Sequence, residues 1–249
     1  MSAAQFDDLT DVYEAMIDWP KRLAHEEPFY RRLFERIGVR SLVDVACGTG
    51  RHAAMFRSWN LRVEAADVSA GMIERARAAF GESPELRWSV RGFERPMAPP
   101  EPFDAALCVG NSLALAADRA TVAPALGAML AAVRTGGAVV VHVLNLWRLP
   151  DGPCVWQKCR RAVLPQGEVL IVKGVHRHDR RGYVELVVAN LPDGAAMHSE
   201  AVPFLGLEAA ELEQTAIAAG AAGVRFFGGY DEKPYRREQS TDLLMVAEK

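Results

Sequence analysis

Short apolar segments alternate with helical patterns between residues 41 and 144, and this alternation restricts the possible folds more than any other feature. The segments predict strands at 42–46, 61–66, 86–90, 103–109 and 138–144, and helices at 51–59, 71–80 and 119–133. Strands that alternate with helices form a mostly parallel sheet covered on both faces. The predicted fold class is therefore α/β, with a Rossmann-like sheet.

Residues 1–40 precede this core and predict two helices. In the first, apolar residues recur at helical spacing, at Phe6, Leu9, Tyr13, Met16 and Ile17. In the second, Pro20 suits the first turn and Gly38 suits the end. We expect these helices to cover the binding cleft.

After residue 144 the alternation stops, and residues of about 146–205 have the pattern of an antiparallel β insertion. Strands are predicted at 155–164, 169–178 and 183–191, with turns at 179–182 and 192–194. A helix at 207–219 and strands at 224–227 and 241–247 then complete a seven-stranded sheet. The last strand should run antiparallel, because the link before it contains no helix pattern long enough for a parallel crossover. We expect a single domain over 1–249, with the insertion as a substrate cap.

Composition argues against several kinds of partner. The chain has 249 residues, 50% of them hydrophobic and 24% charged, as is usual for globular proteins. A net charge of −3 gives no general attraction to nucleic acid or to an anionic membrane. The N-terminus lacks a secretory pattern, and no apolar run approaches the ~20 residues of a membrane helix. We therefore expect a cytoplasmic monomer or homodimer that acts on a small molecule.

Cysteine and histidine patterns do not predict a metal site. No CxxC pair is present, so we expect reduced thiols at Cys47, Cys108, Cys154 and Cys159. His176 and His178 share one face of a predicted strand, but nothing supplies a clear third ligand. Their place beside a hairpin tip favours solvated charges.

A glycine-rich bend follows the first strand, in the segment Val43-Asp44-Val45-Ala46-Cys47-Gly48-Thr49-Gly50. Glycines allow a tight turn and close approach of a ligand. In parallel sheets, ligands bind beyond the carboxyl ends of the strands. Asp67 ends the second strand and could accept both hydroxyls of a ribose, with about 1.5–3 kcal/mol for each charge-assisted bond.

The same residues fit a loose dinucleotide pattern, Gly48-x-Gly50-x-x-Ala53, or a tight turn without a ligand. Asp44 argues against the dinucleotide, because a carboxylate repels a pyrophosphate. S-adenosylmethionine carries no phosphate, and its sulfonium and ammonium groups are cations. The bend therefore favours S-adenosylmethionine.

Asp44 to Gly50, together with the segment from Asp67 to Arg77, resembles the first two motifs of class I S-adenosylmethionine-dependent methyltransferases. The family pattern extends through Phe103-Asp104 and Gly136-Gly137 to the last strand. The resemblance implies that Gly48 and Gly50 flank the methionine moiety, that Asp67 holds the ribose, and that Val68 and Met72 line the adenine. The complete set of implied cofactor contacts is Tyr13, Arg22, Asp44, Ala46, Cys47, Gly48, Gly50, Asp67, Val68, Met72, Gly92, Phe93, Val109, Gly110 and Asn111.

Two positions depart from the family pattern. Ala46 stands where many members have glycine, and alanine should fit there. After the third strand, Phe93 stands where many members have an acidic residue near the adenine amine. Either Phe93 stacks on the adenine or Glu94 supplies the carboxylate.

Further segments resemble the glycine N-methyltransferase-like and sugar-amine N-methyltransferase-like branches. Gly110-Asn111-Ser112 follows the fourth strand, where these branches place the methionine moiety and the substrate. Tyr13, Trp19 and Arg22 resemble their N-terminal cover, in which a tyrosine and an arginine reach the cofactor's carboxylate. The alternatives are an ordinary turn, a core tyrosine and a solvated arginine.

No catalytic base is clear from the sequence. His142 could be one, but a lone strand histidine is more often a hydrogen-bonded core residue. Asn145 matches the second residue of an arginine-asparagine pair in glycine N-methyltransferase-like proteins, whereas Leu144 replaces the arginine and argues against glycine as substrate. Tyr230 resembles a residue that borders the substrate cleft.

The expected reaction is in-line transfer of the cofactor's methyl group to a nitrogen or oxygen of a small molecule. Alignment and water exclusion suffice for an amine that arrives unprotonated, so nitrogen is slightly favoured. The alternatives are an NAD(P)-dependent oxidoreductase and a noncatalytic module that binds S-adenosylmethionine.

Overall fold

A computed structural model describes residues 10–97, 99–191 and 193–249. Seven strands form one sheet in the order β10-β11-β5-β4-β1-β2-β3. They are β1 Ser41–Asp44, β2 Arg62–Asp67, β3 Leu86–Val90, β4 Phe103–Cys108, β5 Val133–Leu144, β10 Gly223–Phe227 and β11 Asp242–Glu248. Strands β1 to β5 pair in parallel, and β11 runs antiparallel to both β5 and β10. The predicted α/β fold class is confirmed.

The sheet is covered by helices on both faces because its strands are apolar on both faces. Six α-helices are described: α1 Thr10–Met16, α2 Trp19–Ile37, α3 Arg51–Ser58, α4 Ala70–Phe80, α5 Val122–Ala132 and α6 Ala209–Ala218. Alternate residues of β4 enter opposite cores: Ala106 packs with α5 and α6, and Leu107 packs with α2, α3 and α4. Each described helix is too short or too polar to cross a bilayer.

Local signals set the helix ends as expected. Asp18 caps α2 by accepting a hydrogen bond from the Lys21 N–H at 3.2 Å, Pro20 lies in the first turn, and Gly38 ends the helix at φ 67°. Ser69 caps α4 by accepting the Met72 N–H at 3.0 Å. Phe6 and Leu9 of the predicted first helix lie outside the described residues.

The boundary between α5 and β5 differs from the prediction. A 3₁₀ turn occupies Arg119–Thr121, α5 ends at Ala132, and β5 starts at Val133 rather than after the two glycines. The Gly136-Gly137 segment is an irregularity inside the strand, since the register with β4 shifts between Phe103 and Ala105. Gly137 is required there, because a Cβ would lie 2.5 Å from the Asp104 carbonyl oxygen.

The insertion forms a separate antiparallel sheet in the order β6-β7-β8-β9. Its strands are β6 Val155–Leu164, β7 Gly167–His178, β8 Arg181–Asn190 and β9 Ala196–Leu205. The sequence did not predict β9, because its polar residues and a proline interrupt the apolar alternation. The predicted turn at 192–194 includes residue 192, which lies outside the described residues.

Apolar side chains on one face of this sheet pack against α1. Val12 of α1 joins a core with Val169 and Ile171 of β7 and with Leu186 and Val188 of β8. The insertion and α1 therefore form one cover, which we call the cap: α1 together with β6 to β9.

Candidate active site

A cavity of about 340 Å³ lies at the carboxyl ends of β1, β2 and β4 and is called here the cofactor cavity. Most of the predicted cofactor contacts line it: Tyr13, Arg22, Ala46, Cys47, Gly48, Asp67, Val68, Met72, Gly92, Phe93, Val109 and Gly110. Three do not: Asp44, Gly50 and Asn111. The glycine bend and the acidic end of β2 thus share one cavity.

The two glycines of the bend have different tasks. Gly48 has φ 54°, and a Cβ there would meet only the Tyr13 ring, at 3.8 Å. It therefore presents bare backbone to the cavity. Gly50 has φ 80°, and a Cβ there would lie 2.5 Å from Trp88 and 2.9 Å from Ala76. Gly50 serves the packing behind the bend and does not line the cavity, and its place beside the cofactor stays a prediction.

Asp67 joins the end of β2 to the bend. Its Oδ2 accepts the Gly48 N–H at 2.8 Å, and its Oδ1 accepts the Ser69 N–H at 3.0 Å. The carboxylate also faces the cofactor cavity. It retains acceptor capacity toward a ligand, since a carboxylate has about four lone-pair positions.

Asp44 lies beneath the bend rather than on the cavity wall. It is fully buried; its Oδ1 accepts the Ala46 N–H at 3.3 Å, and its Oδ2 has no hydrogen-bond partner in the described chain. Burial, with the negative charge of Asp67 adding to it, raises the pKa of Asp44 to about 7. Asp44 does not line the cavity, so its contact with the cofactor stays a prediction, and a cationic ligand above the bend would stabilise the ionised carboxylate through space.

Both candidates for the adenine end face the cofactor cavity. Phe93 and Glu94 line it together with Gly92. The Glu94 carboxylate folds over Gly92, into the position that a Cβ of residue 92 would occupy. The structure therefore leaves both the stacking ring and the carboxylate available.

A second cavity, also about 340 Å³, adjoins the first and is called here the acceptor cavity. The two share Tyr13, Arg22, Met72, Gly110 and Leu115, which we call the junction. Three regions line the rest: Val12, Met16, His25 and Glu26 from the N-terminal helices; Asn111, His142, Leu144, Tyr230 and Asp242 from the main sheet and its loops; Lys173, Val184, Leu186 and Val202 from the insertion.

Buried polar groups hold Arg22 at the junction. Its Nε donates to Glu26 Oε1 at 2.7 Å, and Glu26 Oε2 lies 2.6 Å from His52 Nε2. Burial alone would raise the pKa of Glu26, but His52 and the Arg22 guanidinium lower it to about 2. The ionised Glu26 therefore fixes the arginine between the two cavities.

Trp19 contributes an unsatisfied donor to the cofactor cavity. Its Nε1 is buried and has no hydrogen-bond partner among the described residues, and the side chain lines the cavity beside Arg22. Buried donors are rarely left unpaired in native proteins. An anionic or carbonyl oxygen of a ligand would satisfy this donor.

His142 and Tyr230 line the acceptor cavity, whereas Asn145 does not. The Asn145 amide donates to the carbonyl oxygens of Arg237 and Ser240, each at 2.7 Å. These bonds anchor the loop before β11, and the catalytic role of Asn145 stays a prediction. Asn111 likewise has a structural bond, since its Oδ1 accepts the Leu144 N–H at 2.9 Å, and it faces the acceptor cavity.

His142 and Tyr230 have different hydrogen-bond environments. His142 Nδ1 accepts the Gly110 N–H at 3.2 Å, which in the neutral ring leaves the proton on Nε2. Nε2 lies 3.3 Å from Asp242 Oδ1. Burial raises the pKa of the Tyr230 hydroxyl well above its ordinary value, so the phenol stays neutral. In this arrangement both groups can donate a hydrogen bond to a ligand in the acceptor cavity.

Comparisons with known proteins agree with this geometry. Residues 42–137 match a methyltransferase domain family. The chain is 33% identical to the glycine/sarcosine N-methyltransferase of Parasynechococcus marenigrum over 150 residues, which are 59% of this chain and 52% of that protein. The chain thus spans about half the length of the curated relatives it matches.

Solved structures show the same fold over most of the chain. An S-adenosylmethionine-dependent methyltransferase from Clostridium acetobutylicum has a TM-score of 0.74 at 13% identity, with 96% of this chain and 95% of that chain covered. The chain therefore has the fold of S-adenosylmethionine-dependent methyltransferases. CalS10, an amino pentose methyltransferase from Micromonospora echinaspora solved with bound cofactor, has a TM-score of 0.71 at 21% identity, with 96% and 97% covered.

Several residues of the acceptor cavity, among them Glu26, Lys173 and Asp242, were not singled out from the sequence. Glu26 and Asp242 lie in an ordinary helix and strand, and no local pattern singles them out. Lys173 could have been found, because it interrupts the apolar alternation of Val169, Ile171 and Val175 on one face of β7.

Proposed function

We propose that this chain transfers the methyl group of S-adenosylmethionine to a nitrogen of a small molecule. The observation that carries the proposal is the junction, where a cavity with the family's cofactor motifs opens into a second, mostly apolar cavity. Two reactants placed on either side of the junction would meet in line, and such alignment supplies much of the rate enhancement of a displacement.

The residues of the cofactor cavity fit the donor. Asp67 would accept the ribose hydroxyls, and Gly48 would leave room for the methionine moiety. Arg22 and the unpaired Trp19 Nε1 would bind the methionine carboxylate. Asp44 would favour a cation above the bend. When bound, the cofactor supplies an electrophilic methyl group on a positively charged sulfur.

Nitrogen is favoured over oxygen by the acceptor cavity. An amine needs only to arrive unprotonated, whereas a hydroxyl usually needs a base. His142 directs its lone pair at the Gly110 N–H, and Tyr230 stays neutral. The similarity to a glycine/sarcosine N-methyltransferase and to an amino pentose methyltransferase supports the same choice.

The cap would select the acceptor. Val184, Leu186 and Val202 of the insertion form an apolar roof over the acceptor cavity. Leu144, at the position where an arginine would hold glycine, also lines this cavity. We therefore propose an acceptor with an apolar portion, larger than glycine.

Calorimetry and a turnover assay test this function. We expect binding of S-adenosylmethionine and of its demethylated product, and methyl transfer to members of a panel of small amines but not to matched alcohols. Binding of NAD(P) without binding of S-adenosylmethionine would support an oxidoreductase instead. Cofactor binding with no transfer to any amine or phenol would identify a noncatalytic module.

A further inference from the structure

Lys173 is the charged residue in an otherwise apolar roof. It lies on β7 between Ile171 and Val175, both 1% exposed, and pairs with Leu186 on β8. The described insertion residues that line the acceptor cavity are Lys173 and three aliphatic side chains. The amine therefore faces the cavity from an apolar surface.

The described residues provide no counter-charge for this lysine. No carboxylate of residues 10–97, 99–191 or 193–249 forms an ion pair with it. Its directly paired neighbour on β6 is another cation, Lys158, and Arg22 is the other charged group that acts on it. Burial, with repulsion from these two cations, lowers the pKa of Lys173 to about 8. Arg22 differs, because Glu26 compensates its charge.

Other titratable groups of the acceptor cavity come from different elements. They are Tyr13 on α1, Arg22, His25 and Glu26 on α2, His142 on β5, Tyr230 before β11, and Asp242 on β11. Of the two carboxylates, Glu26 is held by Arg22 and His52, and Asp242 lies beside His142. An uncompensated cation in an apolar cavity is unfavourable unless a ligand brings an anion.

Lys173 lines the acceptor cavity, but it is not one of the five residues that form the junction. By contrast, His142 bonds to Gly110 of the junction, and Asp242 lies next to His142. The main-sheet side of the cavity therefore suits the amine of the methyl acceptor, and the roof suits the remote end of the acceptor. This separation assigns Lys173 to substrate binding rather than to proton transfer.

We propose that Lys173 binds an oxyanion, a carboxylate or a phosphate, at the end of the methyl acceptor remote from its nitrogen. The inference rests on the proposed methyl transfer and narrows its substrate class to small amines that carry an acidic group. The amine lies near Asp242 and His142, and the acidic group lies near Lys173.

Matched pairs of acceptors test the inference. We would compare γ-aminobutyrate with γ-aminobutyramide, aminopropyl phosphate with aminopropanol, and longer homologues of each pair. Wild type should prefer the acidic member of a carboxylate pair or of a phosphate pair, and the preferred pair identifies the oxyanion. Lys173→Met should reduce kcat/KM for that acid by about 10- to 100-fold, chiefly through KM, and leave the neutral partner nearly unchanged.

Two further variants make this result specific. Lys173→Arg should restore most of the preference, because it restores the charge. Lys158→Met is the matched control, since it removes the neighbouring cation on β6 but does not line the cavity. It should keep the preference. Thermal unfolding should show that Lys173→Met is at least as stable as wild type.

Calorimetry separates this inference from the proposed function. With the demethylated cofactor bound, affinity for the acid should fall as pH rises through about 8, because only the charged Lys173 binds the anion. In Lys158→Met this fall should shift to higher pH. Equal affinity for acid and neutral partner, or a preference that survives Lys173→Met, would overturn the inference even if neutral amines are methylated. Lysine-dependent acid binding without turnover would instead refute the proposed function.

Discussion

The cofactor cavity and the acceptor cavity adjoin, but they are built from different kinds of interaction. Around the cofactor cavity, polar groups bind backbone close to a strand end, as Asp67 binds the N–H groups of Gly48 and Ser69. Around the acceptor cavity, they come from distant elements, as Lys173 and Asp242 do. The first cavity is a product of local motifs, and the second is a product of how the cap is seated on the sheet.

The comparison predicts that variants in the local motifs alter cofactor affinity without altering acceptor selection. Asp67→Ala should have the largest effect and weaken S-adenosylmethionine binding by about 10- to 100-fold, since it removes a charge-assisted acceptor and frees the bend. Calorimetry measures the affinity, and the surface variant Asp193→Ala is the control. Unchanged affinity would contradict the ribose assignment.

Asp44→Asn tests whether Asp44 acts on the cofactor through its charge or through the shape of the bend. Affinity for the cationic cofactor should fall by about tenfold, while affinity for the neutral demethylated product changes less, because the loss is electrostatic. Parallel titrations with both ligands measure this difference. An equal loss for both would show that Asp44 acts on the shape of the bend instead.

Although Asp44→Asn should weaken cofactor binding, it should raise the free energy of unfolding of the cofactor-free protein. The folded pKa of Asp44, about 7, lies above that of an unfolded aspartate, so its contribution to the free energy of unfolding is full below about pH 4 and declines as pH rises to about 7. Asp44→Asn should therefore stabilise the cofactor-free protein at pH 8, by on the order of 1–4 kcal/mol. Denaturant unfolding of wild type and variant at pH 5 and 8 measures this difference. A variant that is less stable than wild type at pH 8 would contradict the prediction.

Glu26→Gln tests the junction, where Arg22 lines both cavities. Loss of the ionised partner should loosen Arg22 and weaken cofactor binding by about fivefold, and acceptor KM should rise as well. Steady-state kinetics in both substrates would show the coupled change. A change confined to one substrate would mean that the cavities are separate at Arg22.

The smallest effect is expected where the cap meets the glycine bend. Glu14 of α1 binds the Thr49 hydroxyl and the Arg51 guanidinium, the latter at 2.5 Å, and so connects the cap to the glycine bend. Glu14→Gln should speed cofactor release about two- to threefold at low salt, with less difference at high salt. Stopped-flow displacement measures the rate, and a salt-independent change would contradict an ionic connection.

Much of the fold and of the cofactor cavity was predictable, because the relevant signals are local. Ser69 and Gly38 mark helix ends by their own hydrogen-bonding and backbone preferences, and Gly48 and Asp67 mark a strand-end site. Predictions from the sequence were wrong where one local pattern is compatible with two different structures. Gly136-Gly137 suits a turn or a strand irregularity, and only its contact with Asp104 decides between them.

The amino-acid sequence by itself determined the parallel core, the β character of the insertion and the glycine bend with its acidic partner, since each depends on periodicity or on residues close in the chain. Only the tertiary structure decided that Asn145 anchors a loop, that Glu26 holds Arg22, and that Lys173 faces the acceptor cavity. These roles depend on which strand and helix faces meet after the cap is seated, and no short segment carries that information.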